Sequence, residues 1–201
     1  MKKILVTGGV GFIGSNLISS LRKNNNEIYS LDDYTSGSKK NQVNGVKYYK
    51  LDIEEIARIN QRFDICYHLA AKTLVQESFI KPEEYFRVNV KGTLKLLEWA
   101  RGTNMKIVYA GSASRHSDPS SSPYALTKFF GEEICSLYKK NFDINVQIAR
   151  FYNVYGPHEK VHELNGNVIG IWRAKQMKKK QLLIVGDGNQ KRDFIHVKDL
   201  V

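Results

Sequence analysis

The sequence predicts an α/β fold built on a doubly wound parallel sheet. Two patterns carry that prediction. Short apolar runs rich in β-branched residues recur at 4–7, 27–31, 46–51, 65–69, 107–110 and 146–150. Runs of that length suit strands buried on both faces of a parallel sheet. Helical stretches lie between them, most clearly at 12–22, 82–101 and 123–140. Strand–helix alternation over about 150 residues fits helices packed on both faces of one sheet.

Taken in order, the first strand runs into Thr7-Gly8-Gly9-Val10-Gly11-Phe12-Ile13-Gly14. Gly9-x-Gly11-x-x-Gly14 has the spacing of the dinucleotide fingerprint of Rossmann sheets, and it stands between a strand and a helix as that role requires. Glycines there permit a tight turn and let backbone N–H groups approach a pyrophosphate. The second strand reaches Asp32, 18 residues beyond Gly14. A carboxylate at that place accepts ribose hydroxyls and repels a 2′-phosphate, so NAD is expected rather than NADP. Pro82 and Pro123 suit first helical turns, and Ser122 suits the N-cap of the helix that follows it. After Gly156-Pro157 the pattern loosens. A helix is expected at 168–179, then a strand at 182–185 before the turn Gly186-Asp187-Gly188.

Composition narrows the function. The 201-residue chain is 42 % hydrophobic and has a net charge of +11, enough for one sizeable core. Its lysines are scattered in short groups without a nucleic-acid motif, so solvated faces and attraction of anionic small ligands are expected, not nucleic acid. No apolar run reaches bilayer length, and the opening residues lack a signal-peptide core; no membrane association and a cytoplasmic location are expected. Cys66 and Cys135 have no metal-ligand spacing, so reduced thiols and no metal site are expected.

Tyr124 and Lys128 stand four residues apart on the helix at 123–140. That spacing stacks them on one face, where an ammonium can favour the phenolate and make tyrosine a usable general base.

Several motifs together resemble the extended short-chain dehydrogenases, and within them the NAD-dependent nucleotide-sugar epimerase/dehydratase group. They are TGGVGFIGSN at 7–16, LDI at 51–53, HLAA at 68–71, VNVKGT at 88–93, GSAS at 111–114, YALTK at 124–128, RFYNVYGP at 150–157 and GDGNQKRDFIHVKDL at 186–200. The resemblance spans essentially the whole chain. It implies cofactor contacts from Gly8, Gly11, Phe12, Ile13, Gly14, Asp32, Asp52, Ile53, Leu69, Ala70, Ala71 and Asn89, joined by Tyr124 and Lys128. It implies a catalytic set of Ser112, Tyr124 and Lys128, with Ser112 bonded to the reacting sugar oxygen and Lys128 on the nicotinamide ribose. Ser114, Asn153 and Arg192 would meet the nucleotide-sugar substrate. Gly111 stands where relatives commonly have serine.

The implied function is NAD-dependent epimerisation, by default at C4 of a UDP-hexose through a transient 4-keto sugar. Dehydratases and decarboxylases of the group carry an acidic residue just after the catalytic Ser/Thr, where this chain has Ala113 and Ser114. The alternatives are a truncated, non-catalytic NAD-binding module, or a dehydratase or oxidoreductase of the same family. The resemblance also implies a homodimer in which the helices at 82–101 and 123–140 pair across a two-fold axis. Residues 1–156 read as the NAD-binding Rossmann domain. Residues 157–201 read as the truncated start of a substrate-binding subdomain, so the C-terminal substrate-binding region is expected to be incomplete.

Overall fold

The computed structural model describes residues 1–160 and 166–201. Six strands form one parallel sheet: β1 (Lys3–Thr7), β2 (Glu27–Asp32), β3 (Lys47–Lys50), β4 (Ile65–His68), β5 (Lys106–Ser112) and β6 (Val146–Phe151). Their spatial order is β3-β2-β1-β4-β5-β6. The order reverses beside β1, between β2 and β4, and a crevice opens there at the carboxyl ends of the strands.

Two apolar layers cover the sheet. On one face Ile4, Val6 and Ile28 pack on Leu17 and Ile18 of α1 (Phe12–Leu21). On the other, Leu5, Leu31, Cys66, Ile107 and Tyr109 pack with Leu96 and Leu97 of α4 (Gly92–Ala100) and Cys135 and Tyr138 of α5 (Pro123–Phe142). The six strands predicted up to residue 150 and the principal helices are found, with ends shifted by a residue or two. The expected helix at 82–101 is interrupted. It runs as α3 (Pro82–Tyr85), a wide π turn at Phe86–Lys91, then α4. Asn89 lies within that wide turn. A short helix α2 (Val75–Ile80) precedes it and was not anticipated.

Beyond β6 the chain forms β7 (Val154–Tyr155), α6 (Val168–Met177), β8 (Ile195–His196) and α7 (Val197–Leu200), with β7 and β8 paired in parallel. The expected strand at 182–185 does not form. Its residues are exposed, Val185 to 83 %, and among the described residues no strand lies beside them to accept their ladder bonds; an apolar run without a neighbour cannot satisfy its backbone as a strand. Among the described residues, no helix is long and apolar enough to cross a membrane, and no group of His, Cys, Asp and Glu could hold a metal ion.

Candidate active site

A cavity of about 720 Å³ lies over the carboxyl ends of the strands. Its floor is the glycine turn. Gly8 takes φ +72°, and Gly11 donates its N–H back to Gly8 O at 3.1 Å. Gly11 also caps α1, without a side-chain cap and without an acidic residue in the first turn. The first N–H groups of a helix have no partner inside it. Phe12, Ile13 and Gly14 line the cavity, and no acidic residue in the first turn of α1 meets their N–H groups, a cradle suited to a pyrophosphate.

Asp32 ends β2 at the cavity edge. Its two oxygens accept the N–H groups of Val10 (3.0 Å) and Tyr34 (2.8 Å). Burial pushes its carboxyl up, and those two bonds oppose the shift. The carboxylate is thus fixed in direction, with lone pairs left for a diol. Asp52 and Ile53 also line the cavity. Asp52 caps the short helix Ile53–Arg58, accepting from Glu54 N, while Arg87 Nη1 reaches its other oxygen at 2.7 Å. Burial alone would raise the Asp52 carboxyl; the Glu54 N–H and the Arg87 guanidinium outweigh it and hold it low.

Leu69, Ala70 and Ala71 form the wall after β4. They are hung from Thr7, whose hydroxyl accepts the N–H groups of Leu69 (3.2 Å) and Ala70 (3.1 Å). Thr7 Oγ1 is bonded to His68 Nδ1 at 2.8 Å, and His68 Nε2 to Thr93 Oγ1 at 3.1 Å. His68 is fully enclosed: burial, and then the Lys128 charge, lower its pKa to about 3, so it is neutral. Asn89 does not line the cavity. Its side chain is spent behind the wall, accepting from Lys72 N (2.8 Å) and donating to Lys72 O (3.0 Å) and Thr127 Oγ1 (3.1 Å). Asn89, expected to contact the cofactor, here braces the wall to α5.

At the far end of the cavity stand Ser112, Tyr124 and Lys128. Ser112 closes β5, and α5 begins at Pro123 with Ser122 capping Ala125 N at 3.1 Å. Ser112 Oγ accepts the Ser114 N–H at 3.2 Å and shares hydroxyl–hydroxyl hydrogen bonds with Tyr124 Oη at 3.2 Å and Ser114 Oγ at 3.0 Å. Lys128 Nζ donates to Ala110 O and sits 4.5 Å over the Tyr109 ring.

The expected depression of Tyr124 by Lys128 is not found. Burial pushes the phenol above its ordinary value, and only the Ser112 hydrogen bond opposes it. The ammonium is turned toward a carbonyl and an aromatic face, and burial pulls its own pKa down to about 8. That has a consequence for stability. A lysine whose pKa is lower folded than unfolded costs most while both states are protonated, and the cost fades as pH rises from the folded value toward the unfolded one. Relative to Lys128→Met, the ligand-free wild type should gain about 2 kcal/mol between pH 8 and pH 10. Urea unfolding across that range checks the sign; a difference independent of pH would refute it.

Of the three expected substrate contacts, Asn153 lines the cavity, with φ +32° and its Nδ2 on Asp193 O at 2.8 Å. Ser114 lies one step back, bonded to Ser112. Arg192 is exposed and donates to Lys191 O at 2.8 Å; it is not brought to the cavity, and no ion pair with Asp193 forms. Sequence reasoning missed Lys72, which lines the cavity and pairs with Glu84 at 3.3 Å. It also assigned no part to Thr7 and His68, although both sit inside the quoted motifs.

Residues 4–201 match the NAD dependent epimerase/dehydratase family. The chain belongs to that family. It is 36 % identical over 215 residues to a Methanocaldococcus jannaschii protein provisionally described as a UDP-glucose 4-epimerase, covering 98 % of this chain and 70 % of that one. It is 27 % identical over 220 residues to UDP-glucuronic acid decarboxylase 1 of Xenopus tropicalis, covering all of this chain and 52 % of the relative. Among solved structures, the UDP-N-acetylglucosamine 4-epimerase of Methanobrevibacter ruminantium M1, in complex with UDP-N-acetylmuramic acid, superposes with a TM-score of 0.91 at 28 % identity, covering 99 % of this chain and 70 % of that one. The chain therefore spans between about half and 70 % of the length of these proteins.

Proposed function

We propose that the chain is an NAD-dependent nucleotide-sugar epimerase acting at C4 of a UDP-hexose. The observation that carries this reading is the Ser112–Tyr124 contact at the end of the cavity that the glycine turn and Asp32 open. NAD fits the other end: the uncapped α1 N-terminus suits its pyrophosphate, and the fixed Asp32 carboxylate suits its adenosine ribose. Gly8, Leu69, Ala70 and Ala71 would flank it, Asp52 and Ile53 would meet the adenine, and Lys128 would turn to the nicotinamide ribose. Bound there, NAD supplies a reversible hydride acceptor.

The remaining chemistry falls to the chain. Ser112 donates to the sugar C4 oxygen and orients it. Tyr124 takes the C4 hydroxyl proton as the alcohol is oxidised to a 4-keto sugar and returns it when the ketone is reduced on the opposite face. Ala113 and Ser114 offer no carboxylic acid for elimination of water, which favours epimerisation over dehydration. A UDP-glucuronic acid decarboxylase is among the relatives, and that activity is the second reading. Incubation with UDP-glucose, UDP-N-acetylglucosamine and UDP-glucuronic acid, without added nicotinamide cofactor, separates them. A C4 epimer supports the proposal; release of CO₂ from UDP-glucuronic acid supports the second reading. A requirement for stoichiometric external NAD would make the protein an oxidoreductase, and NAD binding without turnover would leave a non-catalytic module.

The helices α3 to α5 present Phe86, Leu94, Phe130 and Leu137 to solvent, Leu137 at 54 %. We infer a homodimer through this face, on the exposed apolar side chains of these helices and the contact of the Phe86 and Phe130 rings. Light scattering should give twice 23.0 kDa, and Leu137→Arg should halve it. A wild-type monomer would remove the idea. Residues 157–201 would belong to the substrate-binding side.

A further inference from the structure

We propose that Glu132 is a positioning residue whose carboxylate clamps Ser112 and Arg150 to the helix that carries Tyr124, and so sets the Ser112–Tyr124 geometry. The inference rests on the reading of those two residues as the proton-handling pair. Tyr124, Lys128 and Glu132 recur every four residues, so one face of α5 carries all three. The first two line the cavity; Glu132 is the next one along and is 2 % exposed.

A carboxylate that deep is costly unless it is fully partnered. Glu132 is partnered from two strands and a loop. Oε1 accepts the backbone N–H of Ser112 at 3.4 Å. Oε2 accepts Arg150 Nε at 3.0 Å and Nη2 at 2.9 Å. Arg115, on the loop after Ser112, brings its Nε within 3.9 Å of Oε2. In the sheet Gly111 lies opposite Arg150 and Ser112 opposite Phe151. The carboxylate thus ties the last residues of β5 and β6 to α5, next to the place where both strands deliver residues to the cavity.

Gly111 makes the room. A Cβ on it would stand 2.6 Å from Glu132 Oε1 and 2.9 Å from Ile148 Cγ2. The carboxylate fills the space that any side chain at 111 would need. Stability does not demand this arrangement: Cys135 and Tyr138 already bury the continuation of the helix face, and the Arg150 side chain is 39 % exposed, so solvent screens its half of the pair. What the pair adds is a fixed register between Ser112 and Tyr124, and a displacement on the order of 1 Å in such a pair costs about 10²-fold in rate.

The test uses Glu132→Gln/Arg150→Gln, which removes the pair without changing net charge, and Gly111→Ala, which crowds the carboxylate and keeps both charges. Each is compared with wild type for turnover of UDP-glucose, and for the ionisation of Tyr124 followed by fluorine NMR in 3-fluorotyrosine-labelled protein, the line being assigned by its loss in Tyr124→Phe. The groups that interact with that phenol are Ser112, Tyr85 and Tyr109, while the Lys128 ammonium is turned to Ala110 O. The expected result is a kcat lower by about 10²-fold with KM within about twofold. With it the Tyr124 midpoint should rise by about one pH unit, as the Ser112 bond to the phenolate loosens. An unchanged midpoint, or a kcat within about twofold of wild type, overturns the clamp. If the wild type turns over none of the UDP-sugars named above, the proposed function falls, and the midpoint alone decides the clamp.

Discussion

Tyr124→Phe should lower C4 epimerisation by about 10³-fold while leaving NAD affinity within about twofold. The magnitude is that of a positioned general acid–base group. The substitution removes one oxygen, the donor to Ser112 Oγ, and leaves the ring in place. Among the described residues beside the phenol, none is placed to take over. Lys128 is turned to Ala110 O, His68 is neutral and sealed behind the wall, and Ser114 reaches only Ser112. Because burial raises the Tyr124 phenol in the ligand-free protein, the wild-type rate should climb with pH until the phenol ionises. In Tyr124→Phe that rise should vanish along with the rate. The measurement is the initial rate of UDP-galactose formation from UDP-glucose against pH, with NAD binding followed by titration calorimetry. Residual activity within tenfold of wild type would show that the proton goes elsewhere.

How far the sequence was legible depends on the range over which each feature is determined. The glycine turn, Asp32 and the Tyr124–Lys128 spacing are local: turn chemistry and helix period fix them, and the structure brings all of them to one cavity. Asn89 shows the limit. Its place in a helix was readable, but the wide turn at Phe86–Lys91 and the Lys72 backbone decide what it bonds to, and neither follows from spacing. The tuning of Tyr124 failed for a similar reason. Shared helical face placed the ammonium nearby, but the carbonyl of Ala110 and the Tyr109 ring, both on β5, determine where it points. Glu132 lay on the same periodicity as Tyr124 and Lys128, so a signal was present. Its meaning needed the pairing of Gly111 with Arg150 across two strands. At 182–185 apolar content suggested a strand, yet a strand also needs a neighbour, which composition does not report.

Gly14→Ala should abolish NAD binding and destabilise the fold by about 1–3 kcal/mol, the range for overpacking a site that cannot yield. The reason lies in what the added methyl meets. A Cβ at Gly14 would lie 2.2 Å from Gly8 O and 2.8 Å from Gly9 Cα. Both are backbone atoms, so no side chain can rotate away. Gly8 cannot retreat either: it holds φ +72°, and a Cβ there would sit 2.9 Å from Ala70 N. Relief must come from lifting the start of α1 off the end of β1, which opens the cradle and disturbs the Thr7-supported wall together. Gly11→Ala is the contrast. Its single close approach is 3.1 Å, to Gly8 O, so stability should change little while the methyl intrudes on the pyrophosphate side of the cavity. Thermal unfolding with and without NAD distinguishes the two substitutions. Wild type should be stabilised by NAD through mass action, Gly11→Ala should unfold near the wild-type temperature with little response to NAD, and Gly14→Ala should unfold lower with none. If Gly14→Ala kept both its stability and its NAD shift, the close strand–helix packing would not be what builds the cradle.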